Sequence, residues 1–270
     1  MPELPDLETL KEVLGRRIVN REIVAVRALR PGLLRTAAPP LEALIGQVFT
    51  GVARQGKHLI LSVHQDLYLI AHLMLSGRFV LCKSATKETK ATGFTITFSD
   101  GEDLRLIENG PVKLARVHVV SDPIEVEAIA ATGAEPLSPL FTVEALSALV
   151  AGRRRQVKTL LTDQKMIAGI GSAYADEILF SAKLSPVRYV NTLTEDEVAR
   201  LHAAIRTTLQ NAIEEIRACI GDSLFTDEIR DFLQIYRHAG KPCPVCGERI
   251  REIRYASRRT RYCPTCQVGG

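Results

Sequence analysis

A chain of 270 residues, 46% of them apolar, is long enough to bury the cores of two domains and too apolar to stay disordered. Lys and Arg outnumber Asp and Glu by 35 to 31, a net +4 that excludes a uniformly basic nucleic-acid coat and matters only where it is concentrated. No apolar run is long enough to span a bilayer, and no basic stretch with an apolar core opens the chain, so no membrane association is expected and a cytoplasmic location is.

The chain opens Met1-Pro2-Glu3-Leu4-Pro5-Asp6, and Leu7, Leu10, Val13 and Leu14 follow with the spacing of an amphipathic helix. Removal of Met1 would expose a proline secondary amine, a nucleophile that no internal residue supplies, with the Glu3 carboxylate beside it. Read alone, the same residues suit the first turn of a helix, where proline fits and a carboxylate meets the positive helix end. That end would also disfavour an ammonium at Pro2 and so leave more free amine.

From Glu22 to Val120 the pattern changes to short β-branched runs at Ile23–Val26, His58–Leu61, Leu67–Leu75, Phe94–Phe98 and Leu114–Val120. Asp100-Gly101 and Asn109-Gly110 are turn signals between them, and the spacing predicts an antiparallel β-sandwich behind an N-terminal helix. Gln55-Gly56-Lys57-His58 sits at the entry to one run, where Lys57 can project from a turn; an ordinary exposed lysine reads equally well.

Gly, Pro and Ser concentrate in residues 134–141, read as a linker between a β domain at 1–133 and a helical domain at 142–235. Thr142 is placed to cap a helix carrying Val143, Leu146, Leu149 and Val150, and Val157, Leu160 and Leu161 mark another. Thr194 to Glu197 fits a capping box ahead of a long helix with Val198, Leu201, Ile205, Leu209, Ala212, Ile213 and Ile216 on one face. Between them, Gly169-Ile170-Gly171-Ser172 precedes a helix and allows either close backbone approach to a phosphate or close helix packing. It follows no strand and lacks the longer glycine fingerprint, so no nucleotide cofactor is expected.

Residues 236–270 hold Cys243-Pro-Val-Cys246 and Cys263-Pro-Thr-Cys266, two Cys-x-x-Cys pairs that can place four thiolates on one zinc ion. Four sulfurs close the coordination shell, so this zinc is structural. Redox pairing is the competing reading. Arg249, Arg251, Arg254, Arg258, Arg259 and Arg261 face a single acid, Glu252, between the pairs, which predicts an arginine hairpin suited to phosphate. Ser257 to Thr260 fall at or beside its tip, while Ile250 and Ile253 can pack inward. Cys82 and Cys219 stand apart and read as buried thiols.

Taken in this order, the opening Pro-Glu-Leu-Pro, Gly56-Lys57, Asp163-Gln164 ahead of Gly169-Ile-Gly171, and the terminal four-cysteine ribbon resemble the formamidopyrimidine-DNA glycosylase and endonuclease VIII family over nearly the whole chain. The resemblance implies an α+β multidomain fold: an N-terminal β-sandwich with its helix, a helix-two-turn-helix domain and a zinc ribbon. It implies a monomeric base-excision-repair enzyme with glycosylase and AP lyase activity on damaged double-stranded DNA. Pro2 would be the nucleophile at the sugar C1′, Glu3 the general acid/base and Lys57 a lysine beside the lesion. Gly169, Gly171, Ser172 and Arg258 would meet DNA phosphates, and Leu75 would enter the gap left by the flipped nucleotide.

Several positions depart from the family pattern. Leu75 replaces the void-filling methionine, Asp6 the usual glutamate and Ser172 a common asparagine, and Glu108–Lys113 holds no counterpart of the arginine and phenylalanine that help fill the void. The stretch 221–232 is short for the loop that closes over 8-oxoguanine. The resemblance therefore does not carry 8-oxoguanine excision with it, and it leaves oxidised pyrimidines, ring-opened purines, abasic sites and unusual adducts as candidate substrates. A family fold that binds DNA without lesion chemistry is the alternative expectation; a zinc ribbon directed at RNA or a protein is a third.

Overall fold

The structure is a computed structural model that describes residues 1–224, 227–255 and 258–268, with Tyr255 and Arg258 described by backbone alone. The chain forms two compact units: Met1–Ala131 with Ile216–Glu228, and Thr132–Glu215 with Ile229–Gly270.

In the first unit, helix α1 (Leu4–Ile18) precedes eight strands: β1 (Ile23–Ala28), β2 (Phe49–Gln55), β3 (His58–Val63), β4 (Leu67–His72), β5 (Gly77–Lys83), β6 (Thr92–Phe98), β7 (Glu102–Glu108) and β8 (Arg116–Val120). They make two antiparallel sheets in the orders β1-β6-β7-β5 and β2-β3-β4-β8. Both sheets and α1 feed one core, with Phe79, Phe94, Ile96, Phe98 and Leu104 from the first sheet and Phe49, Leu59, Leu61, Leu69 and Val117 from the second. This is the expected sandwich. The outer face of β3 and β4 buries Ile60 and Ile70 against Ile129 of the short helix α2 (Glu127–Ala130), which is why β3 reads as a continuous apolar run.

Three strands, β2, β5 and β7, lie outside the runs read from the sequence. In β7 the reason is chemical. Asp103 is buried, accepting hydrogen bonds from Ser84 Oγ at 2.7 Å, Thr97 Oγ1 at 2.8 Å and Arg105 Nε at 3.0 Å, so charged residues occupy positions that β patterning assigns to solvent. The expected run Leu67–Leu75 stops at His72, because Met74 takes a positive φ of 52° in the turn to β5. Asp100-Gly101 closes the β6–β7 hairpin, with Gly101 at φ 84°. Asn109-Gly110, in contrast, opens a longer connection between strands of different sheets.

The second unit contains α3 (Val143–Val150), α4 (Val157–Leu161), α5 (Ser172–Ser181), most of α6 (Glu195–Ile220), and the ribbon strands β9 (Arg251–Tyr255) and β10 (Arg258–Tyr262). Thr142 Oγ1 accepts from the Ala145 N–H, and Thr194 and Glu197 exchange the two bonds of a capping box. Ala134 in the stretch 134–141 bridges to Ile167. Contrary to the sequence reading, Cys219 is exposed on α6 and Cys82 only half-buried on β5, since neither faces a core. No helix of the described residues is long and apolar enough to cross a membrane.

Candidate nucleic-acid interface and catalytic residues

In the first unit the opening residues do what a helix start requires and are held unusually tightly. Glu3 is the N-cap of α1 and pairs with Asp6 in a capping box, the Glu3 N–H donating to Asp6 Oδ2 at 2.7 Å. Both carboxylates are buried, at 4% and 0% exposure, and Pro2 is buried beside them. Asp6, one methylene shorter than glutamate, therefore fixes the backbone one peptide away from the Pro2 nitrogen.

Two ion-pair systems attach this helix start to the other candidate residues of the unit. Arg54 Nε donates to Glu8 Oε2 at 2.8 Å while its Nη1 donates to the Gly56 carbonyl at 3.0 Å, tying α1 to the two-residue Gly56-Lys57 turn between β2 and β3. Burial pushes the Glu8 carboxyl up, but Lys11 and Arg54 outweigh it and hold the group below the usual range. Glu228 accepts from Arg78 Nη2 at 2.6 Å and lies 3.2 Å from the Met1 ammonium, linking the N-terminus to β5 just after the Leu75 turn. Sequence reasoning missed Arg54, Arg78 and Glu228, since nothing in local spacing marks them.

Lys57 is buried at 7% exposure rather than waving from its turn. It lies at an end of the β2-β3-β4-β8 sheet where Arg116 supplies a second cation and pairs with His72 across β4 and β8. The rings of His58 and His72 meet edge to face at 4.7 Å. Burial first, then neighbouring positive charge, lowers His58 to about 4 and His72 to about 3, so both are neutral at pH 7. His72 Nδ1 accepts the Met74 N–H at 3.0 Å, which leaves the ring proton on Nε2. In the sequence His72 merely opens the Leu75 stretch; in the fold it is a hydrogen-bond donor with a defined tautomer.

Leu75 is 54% exposed at its turn, the state an apolar wedge needs and one that burial in the core would forbid. The turn is set by Gly77, whose N–H donates to the Leu73 carbonyl; a Cβ there would lie 2.4 Å from that oxygen. The loop from residue 109 comes against it, with Gly110 packed on Ser76, and exposes Val112.

In the second unit α4 and α5 are joined by two successive turns. Gln164 shapes them: its Oε1 accepts the Gly169 N–H at 2.9 Å, and its Nε2 donates to the carbonyls of Ile170 at 2.7 Å and Thr162 at 3.1 Å. Gly169 takes φ 79°, a left-handed conformation that glycine adopts without cost, and Gly171 is the N-cap of α5. Ser172, the first residue of α5, donates from Oγ to the Arg259 carbonyl at 3.3 Å, so the glycine turn and the ribbon meet directly.

The four cysteines converge as expected. Their sulfurs lie within 4.8 Å of one another, with Cys243 to Cys266 at 3.8 Å and Cys246 to Cys263 at 3.4 Å. A tetrahedron with Zn–S bonds of about 2.3 Å has edges of about 3.8 Å, so the residues fit one zinc ion. Beside it pack Phe180, Ile235 and Ile250, too small a core to hold a ribbon unaided.

The arginines of the hairpin are not all turned to solvent. Arg261 donates to Glu252 at 2.9 Å and lies over the Tyr236 ring, and Arg259 stands 3.8 Å from the same carboxylate. The side chain of Arg258, and Ser257 altogether, lie outside the described residues.

Residues 1–109 match the formamidopyrimidine-DNA glycosylase N-terminal domain, residues 132–222 the formamidopyrimidine-DNA glycosylase H2TH domain, and residues 240–268 the zinc finger found in FPG and IleRS. The chain is 37% identical to a formamidopyrimidine-DNA glycosylase of Symbiobacterium thermophilum, over 99% of this chain and 89% of that protein. It is 35% identical to the enzyme of that name from Pelotomaculum thermopropionicum, over 99% of both. Among solved structures it resembles the wild-type Lactococcus lactis Fpg in complex with DNA containing N7-benzyl-Fapy-dG, at a TM-score of 0.90 and 30% identity over 98% of this chain and 99% of that one. The capped Pro-Glu terminus and the lysine turn fall within the first of these matched segments, the two-turn helix pair within the second and the four-sulfur ribbon within the third, and the chain belongs to the formamidopyrimidine-DNA glycosylase family.

Proposed function

We propose that this protein is a base-excision-repair DNA glycosylase with AP lyase activity, acting as a monomer on damaged double-stranded DNA in the cytoplasm, where the nucleoid lies. Removal of Met1 frees the Pro2 secondary amine. The amine attacks C1′ of the flipped nucleotide, the N–C1′ bond forms, the bond to the damaged base breaks, and the base departs with a proton. Loss of the amine proton and opening of the sugar ring leave an iminium at C1′. That iminium acidifies the C2′ proton, whose removal expels the 3′ phosphate, and water then releases the enzyme. Glu3 serves the proton transfers as general acid/base.

The observation that carries this reading is the buried Glu3–Asp6 capping box, which holds a carboxylate and the Pro2 peptide in fixed relation. Lys57 and the Nε2–H of His72 are suited to the phosphate beside the lesion, and Leu75 to the vacated stack. The N-terminus of α5 and the strand that carries Arg258 would meet the backbone elsewhere on the duplex. Zinc supplies no chemistry; it makes the ribbon rigid.

Borohydride reduction of the Met1-free protein with abasic duplex DNA should trap a covalent complex, with Met1 removal verified by intact mass. Pro2→Gly, which keeps a primary amine, should trap more slowly. Glu3→Gln should lose base excision by roughly 10²- to 10⁴-fold while still binding the duplex. Duplex binding without trapping would mean a DNA-binding protein that has lost the chemistry.

A further inference from the structure

The second unit contains a buried ion pair that base excision and strand cleavage do not use. Lys158 on α4 and Asp176 on α5 are 6% and 1% exposed, and Lys158 Nζ donates to Asp176 Oδ1 at 2.6 Å. The same ammonium donates to Thr260 Oγ1 at 2.9 Å and to the Arg259 carbonyl at 3.1 Å, so each of its three N–H bonds has a partner. Asp176 Oδ2 accepts the Arg261 N–H at 3.2 Å. Three consecutive residues of β10 are thereby gripped by one pair drawn from the two helices of the two-turn motif.

We infer that Lys158 and Asp176 are positioning residues for DNA binding: they bolt the arginine strand of the zinc ribbon to the two-turn motif, so that both engage the sugar-phosphate backbone as one rigid piece. The inference rests on the DNA-binding part of the proposed function. Two further observations support it. Ser172 donates to the same Arg259 carbonyl as Lys158, so the first residue of the glycine-preceded helix is registered against β10 through a shared acceptor. Next to the bolt lies a cavity of about 530 Å³, lined among others by Arg155, Thr162, Gln164, Ile253 and Thr260. The cavity leaves this side of the ribbon open against the motif, and the directional bonds of the pair span the contact beside it.

Charge chemistry explains why such a device selects geometry more than it adds stability. A buried pair is often replaced by apolar side chains without loss of stability, because desolvation offsets the attraction. Its bonds, however, are satisfied in one arrangement only. A slip of β10 by one residue would turn Thr260 to the opposite face and put a different carbonyl against Lys158. Phosphate donors on the ribbon and on α5 would then miss their spacing on the backbone.

The test uses full-length, zinc-loaded protein with Lys158→Met, Asp176→Asn and the apolar double variant Lys158→Met/Asp176→Leu. Affinity for an undamaged duplex and its salt dependence are measured together with the zinc content, the thermal midpoint and the single-turnover lyase rate at saturating abasic duplex. Each variant should keep one zinc per chain and a near-parental rate at saturation. Its affinity should fall at least 10-fold, and the slope of log K against log salt should shrink by about 0.9 for each phosphate that is no longer neutralised. The double variant should combine a near-parental midpoint with weak binding, which a purely stabilising role could not produce. Parental affinity and slope in folded Asp176→Asn would overturn the inference, as would a loss confined to the rate at saturation. If the parent protein binds the duplex but fails to trap abasic DNA, the lyase reading fails while the binding comparison stands. A parent that binds no duplex overturns both.

Discussion

Glu3 and Asp6 form a helix cap whose first carboxylate is also the proposed general acid/base. A capping box takes a side-chain acceptor at the N-cap and a reciprocal acceptor three residues on, and the chain meets both with buried side chains. The tolerance for change is correspondingly small, which is why Glu3→Gln, nearly isosteric, is the variant that isolates proton transfer from capping. Gly77 is constrained for a different reason. A methyl group there would lie 2.4 Å from the Leu73 carbonyl oxygen, and backbone cannot yield as a flexible side chain would. Gly77→Ala should lower stability by about 1–3 kcal/mol in urea unfolding. It should also displace the Leu75 turn, so that excision falls further than stability alone explains; unchanged unfolding and excision would dismiss the constraint.

Among the elements, the β3–β4 pair packs two imidazoles edge to face at its end, His58 buried and His72 half-buried. His58 and His72 are held at about 4 and about 3, chiefly by burial, against an ordinary 6.5 in the unfolded chain. Between about pH 4 and 6.5 the unfolded chain therefore binds more protons than the fold. Stability should rise with pH across that window, be fully present above 6.5, and be lost as pH falls through the folded values. Replacing His72 by Gln should flatten this acid limb, read as the denaturation midpoint against pH. An equally steep limb in the variant would assign the effect to other groups. The strand β7 makes a related point about legibility. Its Asp103 and Arg105 are buried and bonded to each other, so hydropathy misplaces a strand whose backbone pairing on both sides is complete.

In the molecule as a whole, the ribbon depends on metal in a way that neither β sheet does. Its core holds three cysteines beside Phe180, Ile235 and Ile250, and structural zinc in such sites contributes about 10–16 kcal/mol to folding. Chelation should release one zinc per chain and abolish duplex binding, and returning zinc should restore it, as followed by metal analysis and a binding titration. Binding that survives quantitative zinc removal would show that the arginine strand is held by protein contacts alone.

Features that depend on neighbours a few residues apart are legible in the chain alone: the helix start at Pro2-Glu3, the capping box at Thr194, the helix periodicities, the Gly169 turn and the four thiolates. These signals are local because a cap, a helical turn or a chelating loop is completed within a few residues of chain. Which charges meet across the chain is settled only on folding. Arg78 and Glu228 are 150 residues apart and Lys158 and Thr260 are 102 apart, and no spacing rule predicts either contact. The same holds for Lys57, which the sequence allowed to be an exposed lysine and the sheet buries beside His72. A charge's partner is chosen by packing, since only enclosure by distant segments makes an ion costly to leave unpaired.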